Sequence, residues 1–166
     1  MPQMRNPSTM KTDHSKPQTT ERVSGPVVYQ PGDGFAPRLS DVSLGAYSTL
    51  ALAHIGDGVY ELLMRTALSQ AGVTTAAHLH RETVRRVNAP AQAAAVESML
   101  PLLTDAEMAV FKRGRNARVN SVPQHANVSE YHAATGLETL FGWLWLRGET
   151  KRLAELFNAV HAVGRA

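Results

Sequence analysis

Leu50-Ala51-Leu52-Ala53-His54-Ile55-Gly56-Asp57-Gly58-Val59-Tyr60 reads as the middle of a long helix carrying one acid in weakly polar surroundings. That helix is expected over residues 48–70. It stops at Gly72, because glycine accepts the left-handed backbone that ends helices. Further along, Thr75 is a candidate N-cap for a helix over 75–87, and Pro90 suits the first turn of one reaching residue 99. Thr104-Asp105-Ala106-Glu107 is a capping-box pattern that opens a fourth helix over 104–115. A polar loop over 116–127 leads into a long helix over 129–146, ended by Gly148, and a last helix covers 150–163. Nowhere do Pro, Gly and period-two alternation combine into a hairpin signal. The expected class is all-α.

At 166 residues the chain has room for one domain and a tail, and 43% hydrophobic residues are enough to build a core. It contains no cysteine, which excludes disulfide frameworks, thiolate zinc sites, iron–sulfur clusters and cysteine nucleophiles. No window approaches the ~18 apolar residues of a membrane-spanning helix, and the first residues lack a secretory signal's apolar run. A cytoplasmic location is expected, with no membrane partner. Six of the nine prolines fall in residues 1–40, a polar, aperiodic segment expected to be a flexible tail. The helical domain is expected over residues 41–166.

Charge is informative only where it clusters. Residues 41–166 hold 12 Lys/Arg against 11 Asp/Glu, yet Lys112, Arg113, Arg115 and Arg118 lie within seven residues. Arg81, Arg85 and Arg86 form a second group. Such patches attract phosphate backbones. A solvated helix face is the plain alternative.

Two acids stand where a core helix would avoid them. Asp57 is one. Glu138 is the other, the sole ionisable group between Ala133 and Leu146. Gly56, Gly58, Gly136 and Gly142 thin the same two helices, which suggests close backbone approach. Burying an unpaired carboxylate costs several kcal/mol, so these acids either meet an arginine such as Arg65 or Arg115, or share a hard cation. Magnesium takes one or two carboxylates and keeps most of its waters. Glu61 is one turn from Asp57, as either a group that orders those waters or the partner of Arg65.

The stretch from Leu50 through Glu61 resembles the signature helix of Mini-ribonuclease III, the short bacterial branch of the ribonuclease III family. Lys112-Arg113-Gly114-Arg115-Asn116-Ala117 resembles the basic motif of that branch, and Thr135-Gly136-Leu137-Glu138-Thr139-Leu140-Phe141-Gly142 resembles its second metal-ligand helix. The three segments occur in the family's order, and the likeness spans residues 44–164. It implies a ribonuclease III-type helical endonuclease domain that dimerises, binds double-stranded RNA and cuts both strands with magnesium, or with manganese in its place. It carries over Asp57 and Glu138 as catalytic metal ligands, and products ending in a 5′-phosphate. The implied job is maturation of the 23S ribosomal RNA precursor, with a large-subunit ribosomal protein as a further partner. Full-length ribonuclease III has two further acids, where this chain has Ala53 and Thr135; the short branch shares their absence, which favours a single ion. A double-stranded-RNA-binding domain is not expected, so RNA recognition falls to the catalytic domain.

Duplex RNA is read by shape, phosphate and 2′-hydroxyl groups. Lys112, Arg113, Arg115, Asn116 and Arg118 are therefore the expected RNA contacts, extended by Arg85 and Arg86, with Gln124 in the loop. Tyr60, Leu63 and Met64 face either a dimer partner or, more simply, the core, and Trp143 and Trp145 are expected as core anchors. The main alternative is a non-catalytic RNA-binding or ribosome-associated protein of the same fold. An all-α nucleotide phosphohydrolase or a helical adaptor would explain less of the pattern.

Overall fold

The computed structural model describes residues 25–26, 36–118, 122 and 127–162. Most of the expected tail, Gln124 and most of the 117–127 loop lie outside the described residues. Among the described residues seven helices follow one another: α1 (Asp41–Leu44), α2 (Thr49–Gln70), α3 (Ala76–Val87), α4 (Ala89–Met99), α5 (Asp105–Arg115), α6 (Val128–Leu146) and α7 (Thr150–Ala162). A single 3-10 turn, Leu100–Leu102, joins α4 to α5. No strand occurs among the described residues, and none of the helices is long and apolar enough to cross a membrane.

The helix ends follow local chemistry. Ser48 caps α2 by accepting from the Ala51 amide, and Thr104 and Glu107 form the reciprocal capping box of α5. Asn88 caps α4 through the Ala91 amide, so α4 starts one residue before Pro90. Thr75 stands at the N-cap of α3 but makes no side-chain cap bond. Helix α2 stops at Gly72 with φ +95°, where Val73 donates to Leu68 and Gly72 to Ser69. Helix α6 stops in the same way at Gly148, φ +76°, with Glu149 donating to Leu144. Both ends are Schellman motifs, which need a left-handed residue just past the helix.

Helix α6 is the hub, packed along α2, α5 and α4. Its all-round apolar sequence explains why: it is covered on several sides, and ten of its residues are buried. Tyr60 is fully buried, edge-on to Phe141 (5.3 Å) and Phe157 (5.7 Å), with its hydroxyl 3.0 Å from Nε2 of His161. Leu63 and Met64 are also interior. These three are core, which rules out the dimer-contact option for them. Trp143 and Trp145 are half-buried against the core. Below the tail, Leu39 donates to the Leu146 carbonyl, and Pro37 and Arg38 lie over Gly148. The last residues ahead of residue 41 are thus packed on the end of α6.

Candidate active site

Two glycines set where the long helices cross. A Cβ placed on Gly56 would stand 1.7 Å from the Glu138 carbonyl oxygen, and one on Gly142 would stand 2.0 Å from the Leu52 carbonyl oxygen. The α2 and α6 backbones therefore touch directly, with no side chain between them. Asp57 follows Gly56 and Glu138 lies one turn ahead of Gly142, so the crossing brings the two acids to one place. Gly136 serves a different contact, since a Cβ there would meet the Phe111 ring at 2.6 Å. Gly58 meets nothing within 4 Å, so the expected close approach does not occur at that residue.

The Glu138 carboxylate feels the charge of Asp57. Burial pushes Glu138 up to about 7, with the Asp57 charge adding to the rise. Asp57 lies more in the open, yet partial desolvation raises it as well, followed by repulsion from Glu61 and opposed by His54. The expectation of two buried acids therefore needs correcting: Glu138 is half-buried, and Asp57 is exposed at the rim.

No described ion pair engages either acid. Arg65 pairs with Glu61 at 2.5 Å, and Arg115 lies over Phe111 and donates to Asn116. The arginine option for Asp57 and Glu138 thus has no support in the geometry. Glu61 takes its own alternative, the i,i+4 pair, while its charge still acts on Asp57.

Gln92, a residue the sequence reading did not single out, comes from α4. It is 1% exposed, and its amide sits beside the Glu138 carboxylate, where it counteracts the rise due to burial. It is near enough to be felt electrostatically, yet its Nε2 completes no hydrogen bond of ordinary length.

The donor set suits a hard cation. Two carboxylates close enough to raise one of them, with neither paired to an arginine or lysine among the described residues, match what magnesium accepts from a protein. Among the described residues no group of three or more His, Asp or Glu side chains is assembled that could hold a metal. The set is therefore a pair of acids and not a multi-acid cage.

The basic run is fixed by the same hub. A Cβ on Gly114 would meet the Thr139 hydroxyl at 2.3 Å and the Thr135 carbonyl oxygen at 2.9 Å, so α5 lies directly on α6 beside Glu138. Lys112, Arg113, Arg115, Asn116 and Arg118 are all exposed around that contact. Arg85 and Arg86 are differently placed. Both bond to Glu82, at 3.0 and 2.5 Å, and Arg86 is largely buried. The buried Glu82 that organises them has the polar look of a surface helix residue in sequence, and only burial reveals its part.

Comparison with known proteins gives the family. The Ribonuclease III domain family matches residues 50–149. Mini-ribonuclease 3 of Symbiobacterium thermophilum is 43% identical over 110 residues, covering 66% of this chain and 85% of the relative. That of Enterococcus faecalis is 42% identical over 111 residues, covering 66% and 84%. A crystal structure of a Fusobacterium nucleatum protein superposes with a TM-score of 0.64 at 27% identity, covering 71% of this chain and 94% of that one. On these grounds the chain belongs to the ribonuclease III family, in its Mini-ribonuclease III branch, and is an endoribonuclease.

Proposed function

We propose that the protein cleaves double-stranded RNA with magnesium or manganese held by Asp57 and Glu138, and that its substrate is the 23S ribosomal RNA precursor. The observation that carries this is the unpaired Asp57–Glu138 couple at the Gly56/Gly142 crossing. The cation supplies charge neutralisation at the phosphate and a reactive water. The two carboxylates hold it, and the closeness of α5 aligns the RNA. Lys112, Arg113, Arg115 and Arg118 neutralise phosphates, and Asn116 offers a polar contact to sugar or phosphate. Arg85, bonded to Glu82 yet 42% exposed, extends the surface, and Arg86 stiffens it through Glu82. Cleavage leaves a 5′-phosphate. Residues 41–166 are the catalytic domain, a large-subunit ribosomal protein is a further partner, and the cytoplasm is the place of action.

The active form is a homodimer, because one site cuts one strand and duplex strands run antiparallel. Its contact face is the exposed side of α2. Leu50 and Leu62 are 43% and 55% exposed, and with the open Gly58 they mark a broad uncovered face of α2.

The test is a gel assay of long duplex RNA with magnesium. Wild type is expected to give discrete products, and Asp57→Asn none. Glu138→Gln should lose cutting by orders of magnitude while keeping duplex affinity within a few-fold. Activity surviving Asp57→Asn would sink the ligand assignment, and binding without any cutting would favour the non-catalytic alternative.

A further inference from the structure

We propose that Gln92 is a positioning residue that orients the Glu138 carboxylate for the cation; this rests on the reading of Asp57 and Glu138 as the metal-holding pair. Gln92 lies in the first turns of α4, where its inward neighbours along the helix are Ala95, Val96 and Met99. An amide is out of character there. Leaving buried N–H donors unpaired is costly, whereas an apolar side chain of the same volume would avoid the cost. Gln92 is 1% exposed, and its Nε2 completes no well-formed hydrogen bond. Yet the group it faces is an acceptor, the Glu138 carboxylate, whose properties it alters.

An ionised carboxylate only accepts hydrogen bonds, and it binds neutral donors more strongly than a neutral acceptor would. With the cation bound and Glu138 ionised, a small approach of Nε2 to one carboxylate oxygen satisfies both groups. The second oxygen is then left for the cation, and the plane of the carboxylate is fixed. The neutrality of glutamine matters here. An arginine or lysine in the same position would orient Glu138 as well, but its charge would repel the cation and cancel the acid that binds it. An amide orients without neutralising. Outer groups of this kind, which hold a ligand in place without touching the metal, are commonly worth 10–100-fold in affinity.

The experiment uses the full chain with Gln92→Met and Gln92→Leu, beside Asp57→Asn and Glu138→Gln. Manganese binding is measured by calorimetry without RNA, duplex RNA affinity in chelator, and cutting as a function of magnesium concentration. Both Gln92 variants are expected to bind manganese about tenfold more weakly and to need correspondingly more magnesium for half-maximal cutting. Their duplex affinity should match wild type, and they should resist urea at least as well, since an unpaired buried amide has gone. Wild-type manganese affinity in both Gln92 variants, with affinity lost in Glu138→Gln, overturns the role of Gln92 alone. Loss of stability with unchanged manganese affinity also overturns it, in favour of plain packing. Unchanged affinity in Asp57→Asn and Glu138→Gln overturns the two-carboxylate reading, and the Gln92 role falls with it.

Discussion

Glu138 shows at the scale of one residue how a buried charge works against the fold. Its carboxyl is raised to about 7 from an ordinary value near 4.5, chiefly by burial. Between those two values the folded protein binds more protons than the unfolded chain, so stability falls as pH rises through that window. Below it both states are protonated and nothing is lost. Without divalent cations, Glu138→Gln should therefore be more stable than wild type at pH 8, by roughly 1–2 kcal/mol after allowing for water around a half-buried group. The difference should vanish near pH 4. Urea unfolding at both pH values, in chelator, checks this; equal stability at pH 8 would mean that Glu138 is well solvated. Glu138 was legible in sequence because a lone acid stood in an apolar helix. Gln92 was not, because a glutamine near a helix start reads as solvent-facing until α6 covers it.

Between elements, the decisive contacts are backbone on backbone. Gly56 and Gly58 are indistinguishable in sequence, two residues apart in one helix, yet they have opposite surroundings. Gly56→Ala must push α2 off α6 and should cost about 3 kcal/mol or more, since neither backbone has a rotamer to yield. Gly58→Ala meets open space and should gain about 0.5–1 kcal/mol from helix propensity. Thermal unfolding of the two variants reads the contrast directly. If Gly56→Ala kept wild-type stability, the crossing would not be where the structure has it.

A second tie joins α5 to α7. Arg152 donates to both oxygens of Glu107, at 2.8 and 3.0 Å, and to the Leu102 carbonyl at 2.6 Å. The Arg152 bonds hold the Glu107 carboxyl below its usual value, so this stabilisation is present above about pH 4.5 and is lost as pH falls through the lowered value. Arg152→Met should cost roughly 2–4 kcal/mol at pH 7, because a buried carboxylate loses its partner. The cost should shrink below pH 4. A pH-independent loss would indicate that only the packing of the arginine stem matters. The capping box around Glu107 was readable four residues at a time; its long-range partner was not.

For the whole molecule, the distribution of exposed apolar groups frames the assembly. Leu50 and Leu62 are exposed at the two edges of a broad face of α2 that includes the open Gly58. A two-fold contact there would set two sites back to back. Leu62→Glu should shift the protein to monomer in sedimentation experiments and convert paired cuts in duplex RNA into single-strand nicks. A protein that stays dimeric would move the interface elsewhere.

The sequence by itself determined the helices from α2 to α7, most of their ends, and the family: caps, Schellman glycines and the spacing of the three motifs are local chemistry, written within a few residues of one another. It also marked Asp57 and Glu138, since an acid without a nearby base stands out along the chain. Tertiary structure alone decided which glycines are crossings, that Asp57 is exposed at the rim, that Tyr60, Leu63 and Met64 are interior, and that Arg86 turns inward to Glu82. It alone brought Gln92 to Glu138. Each of these depends on which surface covers a residue, and that surface comes from helices remote in sequence, where no local pattern records it.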